Sequence, residues 1–326
     1  MIHYLIRRTL IMALTLLLIT FVIYGLIRCI PGTPLTVDMA TSDPSRGIST
    51  EDRQRLEKIY GLDKHWTIAY GQWLGNLARL NFGQSISRKQ PVVRLIGERI
   101  LPTLLLSVSS LIITYLLCIP LGLWLTVRDG TVGERSVSTG LYMLYSLPSF
   151  VAALFLQLLL AVRLEWLPLM GMVSDDYEQL SLLGRTWDIF KHALMPAACF
   201  TYGSLAYYTR FVKSNMMEVV RQDYIRTAKA KGVSPVGIVW THAFRNTLIP
   251  LVTLIGLTLP ALLSGAVILE QIFSWPGMGS LFFASIRERD YPTIMGLTLI
   301  FSALTLIGQL LADVLYAVVD PRVTYS

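Results

Sequence analysis

Long uncharged apolar runs alternate with polar stretches along the whole chain. Six stand out: Thr9–Ile27, Thr103–Val127, Gly140–Val162, Ala193–Thr209, Thr247–Leu269 and Thr293–Val319. The first five contain no Asp, Glu, Lys or Arg, and the sixth carries one acid, Asp313. A run of about 20 apolar residues is long enough to cross a bilayer as a helix. Inside lipid the backbone must satisfy its own hydrogen bonds, so each run predicts a spanning helix. The fourth run is the shortest and weakest. Pro120, Pro148, Pro196, Pro250 and Pro260 fall in or beside the runs; membrane helices tolerate proline where neighbouring helices re-satisfy the freed groups. The pattern predicts an all-α polytopic membrane protein with six transmembrane helices.

Composition agrees. Only 15 % of the 326 residues are charged, against about 25 % in a soluble domain, and the mean hydropathy is +0.55. The net charge of +7 could serve nucleic acid or an anionic lipid surface. The basic residues cluster between the apolar runs and form no basic face interleaved with aromatics. That favours membrane lipid and argues against nucleic acid. Cys29, Cys118 and Cys199 are far apart and offer neither metal spacing nor a disulfide framework; they read as small packing residues. Arg7 and Arg8 before the first run give it the look of a signal peptide. Its 19 uncharged residues suffice to cross a bilayer, and no small-x-small site follows. It reads as a retained first span.

Lys and Arg in short loops set the orientation. The second-to-third loop carries Arg128 and Arg135. The fourth-to-fifth segment carries Arg210, Lys213, Arg221, Arg226, Lys229, Lys231 and Arg245 against Glu218 and Asp223. The third-to-fourth loop instead holds Glu165, Asp175, Asp176, Glu178 and Asp188 against Arg163, Arg185 and Lys191. Both termini of the multi-pass chain are therefore expected in the cytoplasm. Residues 1–101 form a first span plus a long extracytoplasmic loop, 102–319 the main transmembrane domain with a cytoplasmic loop at 212–246, and 320–326 a cytoplasmic tail. The long loop predicts a small helical insertion. Ser49-Thr50-Glu51-Asp52 resembles a helix start that Gly61 would end. Trp66, Tyr70, Trp73, Leu74 and Leu77 share one helical face, suited to packing on the bundle or lying at the interface.

No G-x-x-x-x-G-K-[ST] loop occurs, so the chain has no ATP site of its own. His3, His65, His192 and His242 are scattered, and neither G-x-S-x-G nor H-E-x-x-H is present. No catalytic, cofactor or metal site is expected. Charge within spans is a functional flag, and here only Asp313 qualifies, near the cytoplasmic end. A proton-coupled secondary carrier would be expected to bury more, so energy must come from elsewhere. Pro148, Gln157 and Gln309 are the candidates for lining a pathway, although the two amides could equally bond between helices.

The segment from Val212 to Asn246 is the most informative. Asp223 is expected to cap a short helix from Tyr224 to Lys231, which Gly232 would end in a left-handed conformation. Ser234-Pro235 then starts a new helix. This places a short helix crosswise between two spans, with Ala228 and Ala230 small enough for a partner to approach. A basic loop binding lipid headgroups would carry the same charge.

At this point the sequence closely resembles the permeases of ATP-binding-cassette importers, in the dipeptide/oligopeptide/nickel branch. Arg226-Thr227-Ala228-x-x-x-Gly232 resembles that family's Glu-Ala-Ala-x-x-x-Gly coupling loop, with Leu248-Ile249-Pro250 following at the later spacing of the peptide branch. The match runs nearly the whole chain: Pro31-Gly32-Thr33-Pro34, Tyr60-Gly61-Leu62-Asp63-Lys64, Gln72-Trp73-Leu74, Phe82-Gly83-Gln84-Ser85, Leu147-Pro148-Ser149-Phe150, Trp166-Leu167-Pro168, Phe273 to Gly279, Arg289-Asp290-Tyr291-Pro292 and Asp313 to Arg322. The long loop after the first span resembles the first of the two permeases in such systems. The resemblance implies type I importer architecture. It also implies a second permease subunit, two ATPase subunits on the cytoplasmic side and an extracytoplasmic solute-binding protein. The implied cargo is a di- or oligopeptide, or alternatively nickel or another small solute. The implied ATPase contact comprises Asp223, Tyr224, Arg226, Thr227, Ala228, Lys229 and Gly232, with Ala228 and Gly232 acting through their size.

Overall fold

The computed structural model describes residues 2–29, 63–244 and 267–319, with positions 251, 254 and 258 besides. The expected helix start at Ser49, the Pro31 to Pro34 motif, most of the fifth apolar run, Leu248-Ile249-Pro250 and the tail beyond Val319 lie outside the described residues. Every long element described is a helix. In chain order these are α1 (Ile2–Cys29), α2 (Trp66–Leu77), α3 (Val92–Val127), α4 (Val132–Ser146), α5 (Ser149–Leu156, running on as a π-helical turn Gln157–Arg163), α6 (Leu182–Val220), α7 (Asp223–Ala230), α8 (Pro235–Gly237, running on as a π-helical turn Ile238–Ala243), α9 (Val267–Ile272), α10 (Met278–Glu288) and α11 (Tyr291–Val319).

Three of these are long and apolar enough to cross a membrane: Ile6–Cys29, Val92–Val127 and Tyr291–Leu311. The third predicted run departs from expectation. Instead of one helix over 140–162, α4 and α5 meet at 92°. Pro148 is the cause: it has no N–H to continue α4 and restrains Leu147 to extended backbone, φ −77° and ψ 122°. Counted as one broken span, the pair makes a fourth. The fourth predicted run lies inside α6, whose 39 residues extend about 58 Å. Ser181 caps it by accepting a bond from the Gly184 N–H at 3.2 Å. Thr201, Ser204 and Thr209 reduce the apolar character of its middle.

The spine of the fold is the contact of α3 with α6. Gly122 makes it close. A Cβ there would lie 2.5 Å from Val212 Cγ1 and 3.1 Å from the Thr209 carbonyl. Around this contact Cys118, Leu123, Val212 and Met216 form a fully buried cluster with Tyr115 and Tyr208. α1 packs on α11, where Ile27 meets Tyr291, Ile294 and Met295. The end of α1 therefore meets the beginning of α11, which sends Ile2 and Val319 toward the same, opposite end of the bundle. α2 packs on α1: Thr20 Oγ1 and the Tyr70 hydroxyl are 3.0 Å apart, and the Phe21 ring meets Trp66 at a tilt and Tyr70 edge to face. The aromatic face seen in the sequence is thus spent on packing.

Distant sequence motifs close the end of the bundle that carries α2. Asp290 is fully buried. It accepts bonds from the Ser85 hydroxyl, the Ile86 N–H at 3.1 Å, the Ser87 hydroxyl at 3.1 Å and the Thr293 hydroxyl at 2.9 Å. This joins Phe82-Gly83-Gln84-Ser85 to Arg289-Asp290-Tyr291-Pro292. Nearby, buried Trp275 donates from Nε1 to the Pro102 carbonyl at 3.0 Å. Thr103 Oγ1 accepts from the Met278 N–H at 2.8 Å, and Glu270 from the Ser280 N–H at 2.7 Å. These two side chains cap α10, whose own N-cap, Gly277, has none to offer. A Cβ at Gly277 would overlap the Glu270 carboxyl. Asp290→Ala leaves several buried donors unpaired and is expected to cost about 3 kcal/mol, measurable as a lower melting temperature in detergent; unchanged melting would refute this role.

Candidate functional site

The candidate site begins where α6 stops. Its last turn gives way at Arg221 and Gln222, and the chain turns into α7, Asp223–Ala230. The cap differs by one position from the expectation. Gln222, in extended backbone at φ −69° and ψ 151°, is the N-cap and makes no side-chain bond. Asp223 is instead the first helical residue, where its charge suits the positive end of the helix dipole. Its carboxylate accepts from Arg226 Nη1 at 3.2 Å, and its carbonyl accepts from Thr227 Oγ1 at 3.1 Å. The pair is exposed on both sides, so its contribution is a fraction of a kcal/mol.

α7 stays in place through one residue that the sequence reading passed over. Ile225 is fully buried and packs with Val212, Met216, Ile238, Val239 and Ala243, and Ala228 joins the edge of that cluster three residues later. This i, i+3 pair is the inward stripe of an otherwise polar helix. Its signal was a single isoleucine in a charged segment. Asp223, Tyr224, Arg226, Thr227, Lys229, Ala230 and Lys231 are all exposed. The face turned away from the bundle is therefore polar and mainly cationic.

Gly232 ends the segment with φ +78°, and a Cβ there would meet nothing within 4 Å. Within this chain its requirement is conformational and not one of size. The left-handed residue lets the Val233 N–H reach the Ala228 carbonyl at 3.2 Å and the Gly232 N–H reach Lys229 at 3.0 Å. Ser234 Oγ then accepts from the Gly237 N–H at 3.2 Å, starting α8. The result is a short helix laid between two longer segments and riveted by one side chain.

Residues 118–325 match the family model described as the binding-protein-dependent transport system inner membrane component. The chain belongs to that family. It is 39 % identical over 323 residues, 99 % of each chain, to the oligopeptide transport system permease protein AppB of Bacillus subtilis (strain 168). It is 33 % identical over 339 residues, the whole of both chains, to the di/tripeptide transport system permease protein DppB of Pseudomonas aeruginosa (strain UCBPP-PA14). The dipeptide transport system permease protein DppB of Bacillus subtilis is also 33 % identical, over 99 % of this chain and 98 % of that one. In fold the chain resembles a subunit of the MetNI methionine ABC transporter solved in inward facing conformations, with a TM-score of 0.54 at 18 % identity, covering 70 % of this chain and 97 % of that one.

The permease places its three pathway candidates differently. Pro148 is exposed at the break between α4 and α5. Gln157 is buried, and its amide donates to the carbonyls of Leu169 at 2.9 Å and Ile272 at 3.1 Å, tying two turns of irregular chain together. Gln309 is exposed on α11. The structure does not gather these three into one site, nor does it join them to α7.

Removing the rivet is the direct test of this geometry. Ile225→Ala is expected to cost about 3 kcal/mol of local stability. Hydrogen exchange should then quicken across residues 222–233 while α3 and the middle of α6 stay protected. Uniform protection in the variant would show that something else anchors α7.

Proposed function

We propose that this chain is the permease subunit of an ATP-driven importer of di- and oligopeptides, forming half of the translocation path. The observation that carries this reading is full-length similarity to permeases named for oligopeptide and dipeptide transport, at 33–39 % identity. None of these relatives is named for nickel, and the peptide reading is therefore preferred. Two ATPase subunits are inferred to sit beneath the pair of permeases, one of them docking on the exposed face of α7 through Asp223, Tyr224, Arg226, Thr227, Lys229 and Gly232, with Ala228 setting how closely α7 lies on its own bundle. A rigid helix seated between two longer elements is suited to passing the closure of a partner to both.

The remaining partners follow from the same reading: a second permease subunit, an extracytoplasmic binding protein and the surrounding lipid. Six spans are inferred, with the broken pair and α6 supplying the third and fourth and residues 247–269 the fifth. The division into 1–101, 102–319 and 320–326 is inferred from the apolar pattern, its first boundary falling within α3 where the polar turns of that helix give way to the apolar run. Both termini are assigned to the cytoplasm, which the common direction of Ile2 and Val319 supports together with the basic charge of 210–231.

Charge reversal tests the docking face. In vesicles holding all four kinds of subunit, Arg226→Glu with Lys229→Glu should lower peptide uptake about tenfold with normal insertion of the chain. Two outcomes would sink the proposal: peptide movement by the purified chain alone, or labelling of a cysteine placed at Lys229 by an impermeant reagent from outside intact cells, in a Cys29→Ser background.

A further inference from the structure

Two turns before the end of α6, the Lys213 ammonium lies between two carboxylates, Asp129 in the turn that follows α3 and Glu134 on α4. It is 2.8 Å from Asp129 Oδ1 and 2.9 Å from Glu134 Oε1. The arrangement is built from both sides. Gly130, at φ +79°, turns the chain after α3 so that Asp129 comes before α4. Thr131 caps α4 by accepting from the Glu134 N–H at 3.2 Å. Ser138 donates to the same Glu134 oxygen at 3.0 Å, fixing that carboxylate one turn along. Glu134 is buried and Lys213 is about one-fifth exposed in its side chain, at 22 %, so water screens this cluster less than the open pair on α7.

What surrounds the cluster gives it meaning. A cavity of about 420 Å³ opens between α4 and α6, lined by Ser138, Leu141 and Tyr142 on one side and Thr209, Arg210 and Lys213 on the other. The buried Thr209 hydroxyl makes no hydrogen bond among the described residues. The two helices touch along part of their length, and beside the opening the ion cluster ties them together. On α6, Val212 and Met216 flank Lys213 and both hold Ile225 of α7. On the other side, α4 runs from Glu134 to the 92° break at Pro148. The tie thus joins the seat of α7 to one arm of the broken pair.

We propose that Lys213, gripped by Asp129 and Glu134, is a positioning residue that carries displacement of α7 to the α4–α5 break, so that closure of the ATPases moves the wall of the path. This deepens the proposed function and rests on it. Two elements that share a bistable link transmit free energy in proportion to the coupling between them, and loss of the link should separate hydrolysis from movement of the solute.

The test uses the complete complex in vesicles and reads peptide taken up per ATP hydrolysed. Lys213→Met is expected to lower that ratio about tenfold while binding-protein-stimulated hydrolysis stays within about twofold, in keeping with ordinary coupling energies. Lys213→Arg keeps the cation and should retain the wild-type ratio. Near-isosteric Glu134→Gln should lower the ratio too, and the double variant Lys213→Met with Glu134→Gln should be no worse than the worse single one. The proposal is overturned if the ratio is unchanged in both single variants, if their effects simply multiply, or if Lys213→Arg fails as badly as Lys213→Met. A melting temperature lowered equally by Arg and Met would also overturn it, by reducing Lys213 to a stability role. If the wild-type complex shows no ATP-driven uptake, the functional reading falls first and takes this inference with it. Uptake by the wild type with an unchanged ratio in the variants removes the inference alone.

Discussion

In hydrocarbon an unpaired backbone polar group costs several kcal/mol, so every interruption of a spanning helix must bring its own partner. This permease interrupts its helices repeatedly, and a particular side chain attends each break. Tyr202 donates to the Leu147 carbonyl at 2.9 Å, closing one side of the bend between α4 and α5. Gln157 binds two carbonyls in the irregular chain after α5 and after α9. Trp275 reaches back to Pro102, and Thr103 and Glu270 cap a helix that begins with glycine. Gln157, which the sequence offers to a solute, is thus already engaged by the protein.

The two ends of the bundle are held by different physics. At the end carrying α2, directional bonds join residues as distant as Ser85 and Asp290. Such bonds specify one geometry and lose much of their energy when displaced. At the other end, α7 is held by the apolar contacts of Ile225, and the ion cluster at Lys213 ties the part of α6 on which it sits to α4. Apolar contacts have no preferred direction, and a lysine's four-carbon stem lets its ammonium follow a moving carboxylate. One end is suited to fixing the fold and the other to transmitting displacement.

Much of this was legible in the sequence, and the limits are physical. The apolar runs located α1, α3 and α11, because hydropathy over twenty residues is a sum that single positions barely disturb. The short helix and its left-handed stop were legible from Asp223 and Gly232, since dipole and φ preferences act locally. The break at Pro148 was not. Proline is tolerated in membrane helices, and whether it bends or breaks one depends on a partner such as Tyr202, 55 residues away. Lys213 was visible only as a loop charge, and Asp129 and Glu134 carried no signal, for the same reason: their meaning lies in a contact spanning 79 residues. Ile225 was hidden by its neighbours, because one apolar residue among charges makes no run.

The exposed break at Pro148 bears on what the chain must assemble with. Large apolar side chains around it, among them Met143, Tyr145, Phe150, Leu154 and Phe155, are exposed. Exposure of this kind is uninformative by itself in a membrane protein, since lipid tails and a partner helix accept it equally. The backbone is not so tolerant. Irregular chain at membrane depth persists only where protein covers it or where it lines a watery cavity, because helix-end carbonyls have no donors in lipid. Leu147 and Pro148 sit in the middle of an apolar run and are exposed in the isolated chain. Facing lipid would leave such a bend at high free energy; facing a second permease across a solvated path would not. The exposed bend thus supports the proposed second permease subunit, at the opposite end of α4 from the ion cluster at Glu134.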